Sequence, residues 1–490
     1  MTRIRKKTLD KATEQAISQA AAAGITLSYD RHEAMVPLCG FGQMGLCCTA
    51  CSQGPCRINP FDPSDGTACG RNREGIAAAG FLRLMADGAA AQASFAGAEM
   101  VVAAPLFEAL AAVSEGGLSA SNLLQRAIEV ARAGFSALSE AKRSESGSRW
   151  VKAGAGTLDP DRINILLLGG IPADRVNEIT ARLRTDGGLN VVGACGAEAG
   201  GLDVAGNYGS QEALLVTDAV DGVVVGNGCV SPGFLALAER LGIGVERMNG
   251  FDAARLRERA DAHYRLKAGR SLARRFPPAA AVTGFSAAVF AGLTPVQWES
   301  LAASGAKGVA LVGGCNNVKE TQDGAIVRMA AELLRNDFLV VASGCASAGL
   351  ANAGYLDPAR RTSLAGKRLQ AFLADLSAAS GLEVPAVLDG GSCWEMPRAV
   401  ELARLFHHRL KLPLVAALPE LSRPAGWASA LAVASQGVPT YVGPTVPLDG
   451  ALEGMSALNS LLKAKGGTML GPAQVRQPED FLRVVLGAES

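Results

Sequence analysis

Six of the 11 cysteines of this chain fall between Cys39 and Cys69, in the run Cys39-Gly-Phe-Gly-Gln-Met-Gly-Leu-Cys47-Cys48-Thr-Ala-Cys51-Ser-Gln-Gly-Pro-Cys56, closed by Cys69. Thiolates are soft ligands, and Cys-x2-Cys and Cys-x4-Cys gaps let one folded loop set several sulfurs around an iron-sulfur cube. Electron transfer is the chemistry this spacing predicts. Two other readings of clustered cysteines exist. A disulfide framework is disfavoured because the Met1-Thr-Arg-Ile-Arg-Lys-Lys start does not read as a signal peptide, which implies a reducing cytoplasm. A structural zinc site prefers two well-separated Cys-x2-Cys pairs over adjacent Cys47-Cys48 followed by Cys51 and Cys56.

The other five cysteines share one format: an apolar run, glycine, then cysteine. The runs are Asn190-Val-Val-Gly-Ala-Cys195, Gly222-Val-Val-Val-Gly-Asn-Gly-Cys229, Gly308-Val-Ala-Leu-Val-Gly-Gly-Cys315, Leu339-Val-Val-Ala-Ser-Gly-Cys345 and Ala386-Val-Leu-Asp-Gly-Gly-Ser-Cys393. A lone cysteine after a strand also reads as a small buried hydrophobe. Five in the same position point to a second metal centre, because ligands in parallel α/β sheets bind at the carboxyl ends of the strands.

The elements that must position these residues follow from hydrophobic periodicity. Residues 1–160 read as a helical domain, including Glu74 to Met85 and Ser121 to Lys142, interrupted by the cysteine loop. After a polar stretch, Ile-Asn-Ile-Leu-Leu-Leu-Gly-Gly opens an α/β domain over 161–277, and past Arg274-Arg-Phe-Pro-Pro278 a second spans 278–490. The fold class is α/β: a helical N-terminal domain with an iron-sulfur loop, then two doubly wound, Rossmann-like parallel sheets. With 490 residues, 49 % hydrophobic and 19 % charged, about three domains with substantial cores are available. A net charge of +1 without a basic block argues against nucleic acid, and no apolar run reaches the length of a membrane span.

The Cys39-to-Cys69 block, Gly-Cys-Asn-Asn-Val-Lys (314–319), Ser-Gly-Cys-Ala (343–346) and Gly-Ser-Cys (391–393) resemble motifs of the anaerobic nickel-iron carbon monoxide dehydrogenases, the superfamily that also contains the hybrid cluster protein. The resemblance implies a cytoplasmic homodimer of anaerobic metabolism, served by a ferredoxin-like electron carrier and acting on a small-molecule substrate. Cys39 and Cys47 would hold one 4Fe-4S cluster bridging the dimer, and Cys48, Cys51, Cys56 and Cys69 a relay 4Fe-4S cluster in each subunit. Cys195, Cys229, Cys315, Cys345 and Cys393 would hold a further Fe-S, Fe-S-O or Ni-Fe-S cluster, where the chemistry occurs.

The departures lie in proton handling and metal ligation. The family's Gly-His-x-Pro, whose imidazole binds iron, reads Gly169-Gly170-Ile171-Pro172 here. Its proton-moving histidine series is replaced by Ala89-Ala-Ala-Gln92-Ala-Ser-Phe95, and a catalytic lysine expected after Leu418-Pro-Glu420 gives way to apolar residues around Ala425. The four histidines, His32, His263, His407 and His408, lie outside the cluster motifs, and His407-His408 reads as a helix-surface or C-terminal feature. Glu198, three residues past Cys195, offers an oxygen ligand or a proton, or else is a first-turn glutamate; Glu395 carries the same two readings. Lys319 reads as a helical turn from Cys315, placing positive charge at the cluster or lying on the helix surface, with Asn316 and Asn317 as caps.

The resulting expectation is an iron-sulfur oxidoreductase resembling carbon monoxide dehydrogenase. Its catalytic cluster carries five cysteines and no histidine, CO/CO2 turnover is weakened, and hydroxylamine-type N-O reduction becomes an option. Two alternatives stand beside it: a non-catalytic redox or CO-responsive sensor or electron store, and a true CO dehydrogenase with water-mediated proton transfer.

Overall fold

The computed structural model describes residues 6–62, 66–115, 117–141, 147–184, 188–197, 201–266 and 272–487. Two compact units emerge, one from 1–34 with 142–414 and one from 35–141 with 415–490. The units are interleaved in sequence, so their limits differ from the chain-order spans expected above.

In chain order the strands begin with β1 (Cys47–Cys48) and β2 (Cys56–Arg57) in the second unit. The first unit adds β3 (Arg149–Ala153), β4 (Ile163–Leu168), β5 (Leu189–Ala194), β6 (Val204–Gly206), β7 (Gly222–Val225), β8 (Gly244–Arg247) and β9 (Ala279–Thr283). It continues with β10 (Gly308–Val312), β11 (Phe338–Ala342) and β12 (Val387–Asp389); β13 (Leu414–Leu418), β14 (Pro439–Val442) and β15 (Thr468–Leu470) follow.

The first unit holds a seven-stranded sheet in the order β8-β7-β4-β5-β6-β3-β9, parallel except for the β3–β9 pair. Its edge strands β3 and β9 lie outside the expected 161–277 span. The same unit carries the parallel ladder β12-β11-β10. Every residue of β7, β10, β11 and β12 is buried, which is why these runs are almost continuously apolar: helices cover both faces of a parallel sheet. Under the first sheet, Ile165, Leu167, Ile179, Leu183 and Val224 form one core with Leu256.

In the second unit, β13, β14 and β15 pair in parallel, and the expected N-terminal helices are present as Arg73–Ala96 and Ala120–Glu140. A further helix, Glu99–Glu115, joins them. Asn72 starts the first of these by accepting the Gly75 N–H at 2.9 Å, and Gly97 ends it in the left-handed region. Its small residues let it approach the helix Pro424–Ala434 closely: a Cβ on Gly88 would stand 2.3 Å from the Pro424 carbonyl oxygen and 2.8 Å from the Ala428 Cβ. Among the described residues no helix is long and apolar enough to cross a membrane.

Gly88→Ala is therefore expected to destabilise the protein by about 1–3 kcal/mol through overpacking. Gly80→Ala, on the same helix with nothing within 4 Å of the added methyl, should be neutral or stabilise by up to ~1 kcal/mol. Urea unfolding of the two variants checks the contrast.

Candidate metal centres

In the second unit, the cysteine loop is organised by the two-residue ribbon β1–β2, whose antiparallel register sets Cys48 opposite Cys56 and Cys47 opposite Arg57. Cys39 precedes the short helix Gly40–Gln43. The Cys47 thiol is pushed up by burial and by the neighbouring Cys39, with Arg57 opposing. Between the paired cysteines the chain turns back, the Gly54 N–H donating to the Cys51 carbonyl at 3.3 Å. Cys69 is held by Thr67, whose hydroxyl lies 3.2 Å from the sulfur and lowers the pKa of the thiol. Cys39, Cys47, Cys51 and Cys69 are exposed and Cys48 and Cys56 half-buried, so these sulfurs form a solvent-facing loop.

The other five cysteines behave differently. Cys195, Cys229, Cys315, Cys345 and Cys393 follow β5, β7, β10, β11 and β12, all within the first unit, each just past a carboxyl end. Parallel pairing puts these ends on the same edge of each sheet, and the sulfurs converge. The Cys195 and Cys345 Sγ atoms are 3.7 Å apart, and Cys195 Sγ is 3.6 Å from the Cys229 carbonyl oxygen. Cys195 is driven well above the ordinary thiol range by its contacts with Cys229 and Cys345 and by burial. Cys393 is driven up likewise, by Cys229 first, then burial, with Cys345 and Cys315 adding to it. These neighbour effects link the five cysteines into one set. Among the described residues no three thiol, imidazole or carboxylate groups lie close enough to hold a single metal ion, so the five sulfurs are a looser set than a mononuclear site.

Local backbone geometry serves this gathering. Cys195 and Cys229 take positive φ values of 48° and 58°, which an L-residue adopts only when its surroundings enforce it. Gly344 has φ 65°, and a Cβ there would fall 2.6 Å from the Cys393 Cβ, so only glycine lets these two loops meet. The helix Cys345–Asn352 begins at its cysteine, and the Tyr208 N–H donates to Cys345 Sγ at 3.4 Å. The Trp394 indole lies against Gly196 and Gly228.

The residues singled out for proton or ligand roles fall out unevenly. Glu198 lies outside the described residues. Lys319 is not on a helix: residues after β10 form a loop until the helix Gly324–Arg335, and Asn317 Oδ1 accepts the Lys319 N–H at 3.0 Å in a local turn. Asn316 and Asn317 are correspondingly not helix caps; the local Asx turn and tertiary bonds of Asn316 win over helix continuation. Burial lowers the Lys319 pKa. Glu395 accepts the Ser392 N–H at 3.2 Å and pairs with Arg398 at 3.3 Å, a capping arrangement. His407 and His408 end the helix Met396–Leu410, His407 meeting the Leu412 carbonyl oxygen. Gln92 is wholly buried in the second unit, its Nε2 donating to the Ala425 carbonyl at 3.0 Å and to Ser429 Oγ at 2.9 Å. Among the described residues its Oε1 has no hydrogen-bond partner.

Two buried carboxyls beside the five cysteines escaped the sequence. Asp389, at the end of β12, accepts from Ser347 Oγ at 2.6 Å and from the Gly284 N–H at 3.0 Å, yet burial still raises its pKa. With Gly344, Ser347, Ser392, Glu395 and Arg398 it lines a small cavity of about 40 Å³ beside the Cys345 and Cys393 loops. Asp323 accepts from Asn207 and Asn316, each at 2.8 Å, and from Gln322 at 3.2 Å; burial outweighs these bonds and pushes it up to about 6. In the structure Asp323 stands at the N-cap position of the helix Gly324–Arg335. Its side chain makes no cap bond, because φ 63° turns it inward.

A helical cysteine-loop region, parallel sheets and strand-end thiols brought near one another define an α/β protein with clustered cysteines. The chain belongs to the Prismane/CO dehydrogenase family, which it matches over residues 46–144 and 97–473. It is 27 % identical to carbon monoxide dehydrogenase 1 of Carboxydothermus hydrogenoformans, over 95 % of each chain. The carbon monoxide dehydrogenase of Rhodospirillum rubrum is likewise 27 % identical, over 90 % of this chain and 91 % of that one. Among solved structures, carbon monoxide dehydrogenase IV from Carboxydothermus hydrogenoformans superposes with a TM-score of 0.88 at 23 % identity, covering 98 % of this chain and 99 % of that chain.

The raised Asp323 pKa has a signed consequence. The folded state holds this proton more tightly than the unfolded chain, so its stabilising contribution is full below about pH 4 and is lost as pH rises to about 6. Asp323→Asn should flatten stability between those values by about 3 kcal/mol relative to the parent, measured by denaturant unfolding across pH.

Proposed function

We propose that this protein is an iron-sulfur oxidoreductase of carbon monoxide dehydrogenase type with an altered catalytic centre. Cys195, Cys229, Cys315, Cys345 and Cys393 would hold that centre without an imidazole ligand. Cys48, Cys51, Cys56 and Cys69 would hold a relay 4Fe-4S cluster, and Cys39 and Cys47 one shared across a homodimer. The reading rests on the convergence of five thiols at five parallel strand ends. The donor chemistry fits: sulfur is a soft ligand suited to iron-sulfur clusters, and a bound metal supplies the positive charge that lets crowded thiols give up their protons. Bound there, an iron-sulfur cluster supplies electrons to a small substrate or removes them from it.

The chain's own residues shape what that substrate is. The cavity beside Cys345 and Cys393 has room for only a few water-sized molecules, which favours a small substrate. Interconverting CO and CO2 moves two protons with two electrons, and the family's proton-handling positions are altered here. Gly170 stands in place of the iron-binding histidine, Gln92 is an amide packed among helices, and Ala425 carries no amine. CO turnover is therefore slow, and reduction of an N-O compound such as hydroxylamine is the reaction this centre suits. The buried, hydrogen-bonded Gln92 also favours a second reading, a redox or CO-responsive sensor or electron store that keeps the clusters without sustained turnover. Either role is served by a ferredoxin-like carrier.

Anaerobically reconstituted protein is expected to bind iron at both cysteine sets. Cys345→Ser should lose the spectroscopic signal of the five-cysteine centre while keeping that of the relay cluster. After dithionite reduction, hydroxylamine should reoxidise the protein repeatedly, whereas CO should reduce viologen weakly. A single reoxidation followed by arrest would favour the sensor reading; steady CO-dependent dye reduction by nickel-loaded protein would establish a true CO dehydrogenase.

A further inference from the structure

Asp323 is a fully buried carboxyl without an arginine or lysine among its hydrogen-bond partners here, and the interactions around it tie it to two cysteine loops. Its Oδ1 accepts from Asn316, the residue after Cys315, and from Asn207, whose Nδ2 also lies 3.4 Å from the Cys345 carbonyl oxygen. Asn207 is followed by Tyr208, which donates its N–H to Cys345 Sγ. A Cβ on Gly349, one helical turn past Cys345, would stand 2.4 Å from Asp323 Oδ1, so the carboxyl is pressed against that helix.

The carboxyl also has an outlet. With Asp10, Lys11, Phe276, Gly349 and Asn352 it lines a half-open pocket of about 260 Å³ within the same unit. The groups facing it are Asn207 from the loop after β6, Asn316 and Gln322 from the loop after β10, and Asp10 and Lys11 at the start of the helix Lys11–Ala22. Tyr29 reaches Gln322 Oε1 at 2.9 Å. Asp10 repels negative charge on Asp323, and the three amides stabilise it, so neither form is locked in.

We propose that Asp323 takes up a proton from the Asp10–Lys11 pocket when the five-cysteine centre gains an electron. The inference rests on the reading that these cysteines hold an iron-sulfur centre. An electron added beside Cys345 and Cys315 raises the negative charge next to Asp323, and in a low-dielectric interior that charge raises the proton affinity of the carboxyl. The electron comes from an external low-potential reductant and the proton from water; both leave on reoxidation, so charge balances in each direction. Asp323 is a charge-balancing residue here, supplying in this chain a titratable group where histidines are missing.

The test is the midpoint potential of the five-cysteine centre in anaerobically loaded protein, followed by spectroelectrochemistry from pH 5 to 9. The potential should be flat at low pH, where Asp323 is protonated in both redox states, and should fall with rising pH once the oxidised protein has lost that proton. Asp323→Asn should remove that slope. Asn207→Ala, which withdraws a donor from the ionised form, should move its onset to higher pH. In metal-free protein, a carboxylic acid carbonyl band in pH-difference infrared spectra should titrate near pH 6 and vanish in Asp323→Asn. Equal slopes in parent and Asp323→Asn with iron loading intact, or no such infrared band, would overturn the inference and leave the cluster reading standing. If Cys345→Ser leaves iron content and spectra unchanged, the cluster reading fails and the inference with it.

Discussion

Parallel hydrogen bonding is the constraint on which the first unit depends. Strands that run the same way end on the same edge, so whatever follows each strand is delivered to one place. Five of those ends carry cysteine, and the consequence is a set of thiols too crowded to ionise easily. Cys195 and Cys393 hold their protons tightly because other sulfurs and the low-dielectric interior disfavour a bare thiolate. The cost is carried by a well-packed scaffold: buried apolar strands beneath the loops, positive φ at Cys195 and Cys229, and a glycine where the Cys345 and Cys393 loops touch.

The two groups of cysteines are built on opposite principles. In the second unit a two-residue ribbon and local bonds, such as Thr67 to Cys69 and Gly54 to Cys51, hold six mostly exposed sulfurs. In the first unit, residues 30 to 198 positions apart in sequence supply sulfurs to one site. A local loop can be read from spacing, whereas a distributed site needs the strand register to bring it together.

Around the distributed site stand buried carboxyls held by neutral donors. Asp389 and Asp323 are both buried, both bonded by neutral donors, and both shifted toward the protonated form. Gln92, by contrast, is a packing residue whose amide is spent on the helix Pro424–Ala434. Membership in the family establishes the scaffold rather than the chemistry, because one fold can carry different sites.

The sequence by itself determined the cysteine loop, the buried strands, the helices from Arg73 and Ala120, and the placement of five cysteines after apolar runs, since spacing and periodicity are local and survive in one dimension. It misread Lys319, Asn316 and Asn317 as helical, because polar residues after a strand satisfy a helix start and a loop equally well until tertiary partners choose. Neither Asp323 nor Asp389 stood out in the sequence. Only the tertiary structure turned them into buried acids beside the cysteines: a carboxyl's proton affinity depends on which amides, charges and solvent surround it, and those come from segments such as Asp10, Asn207 and Gly284 that lie far away along the chain.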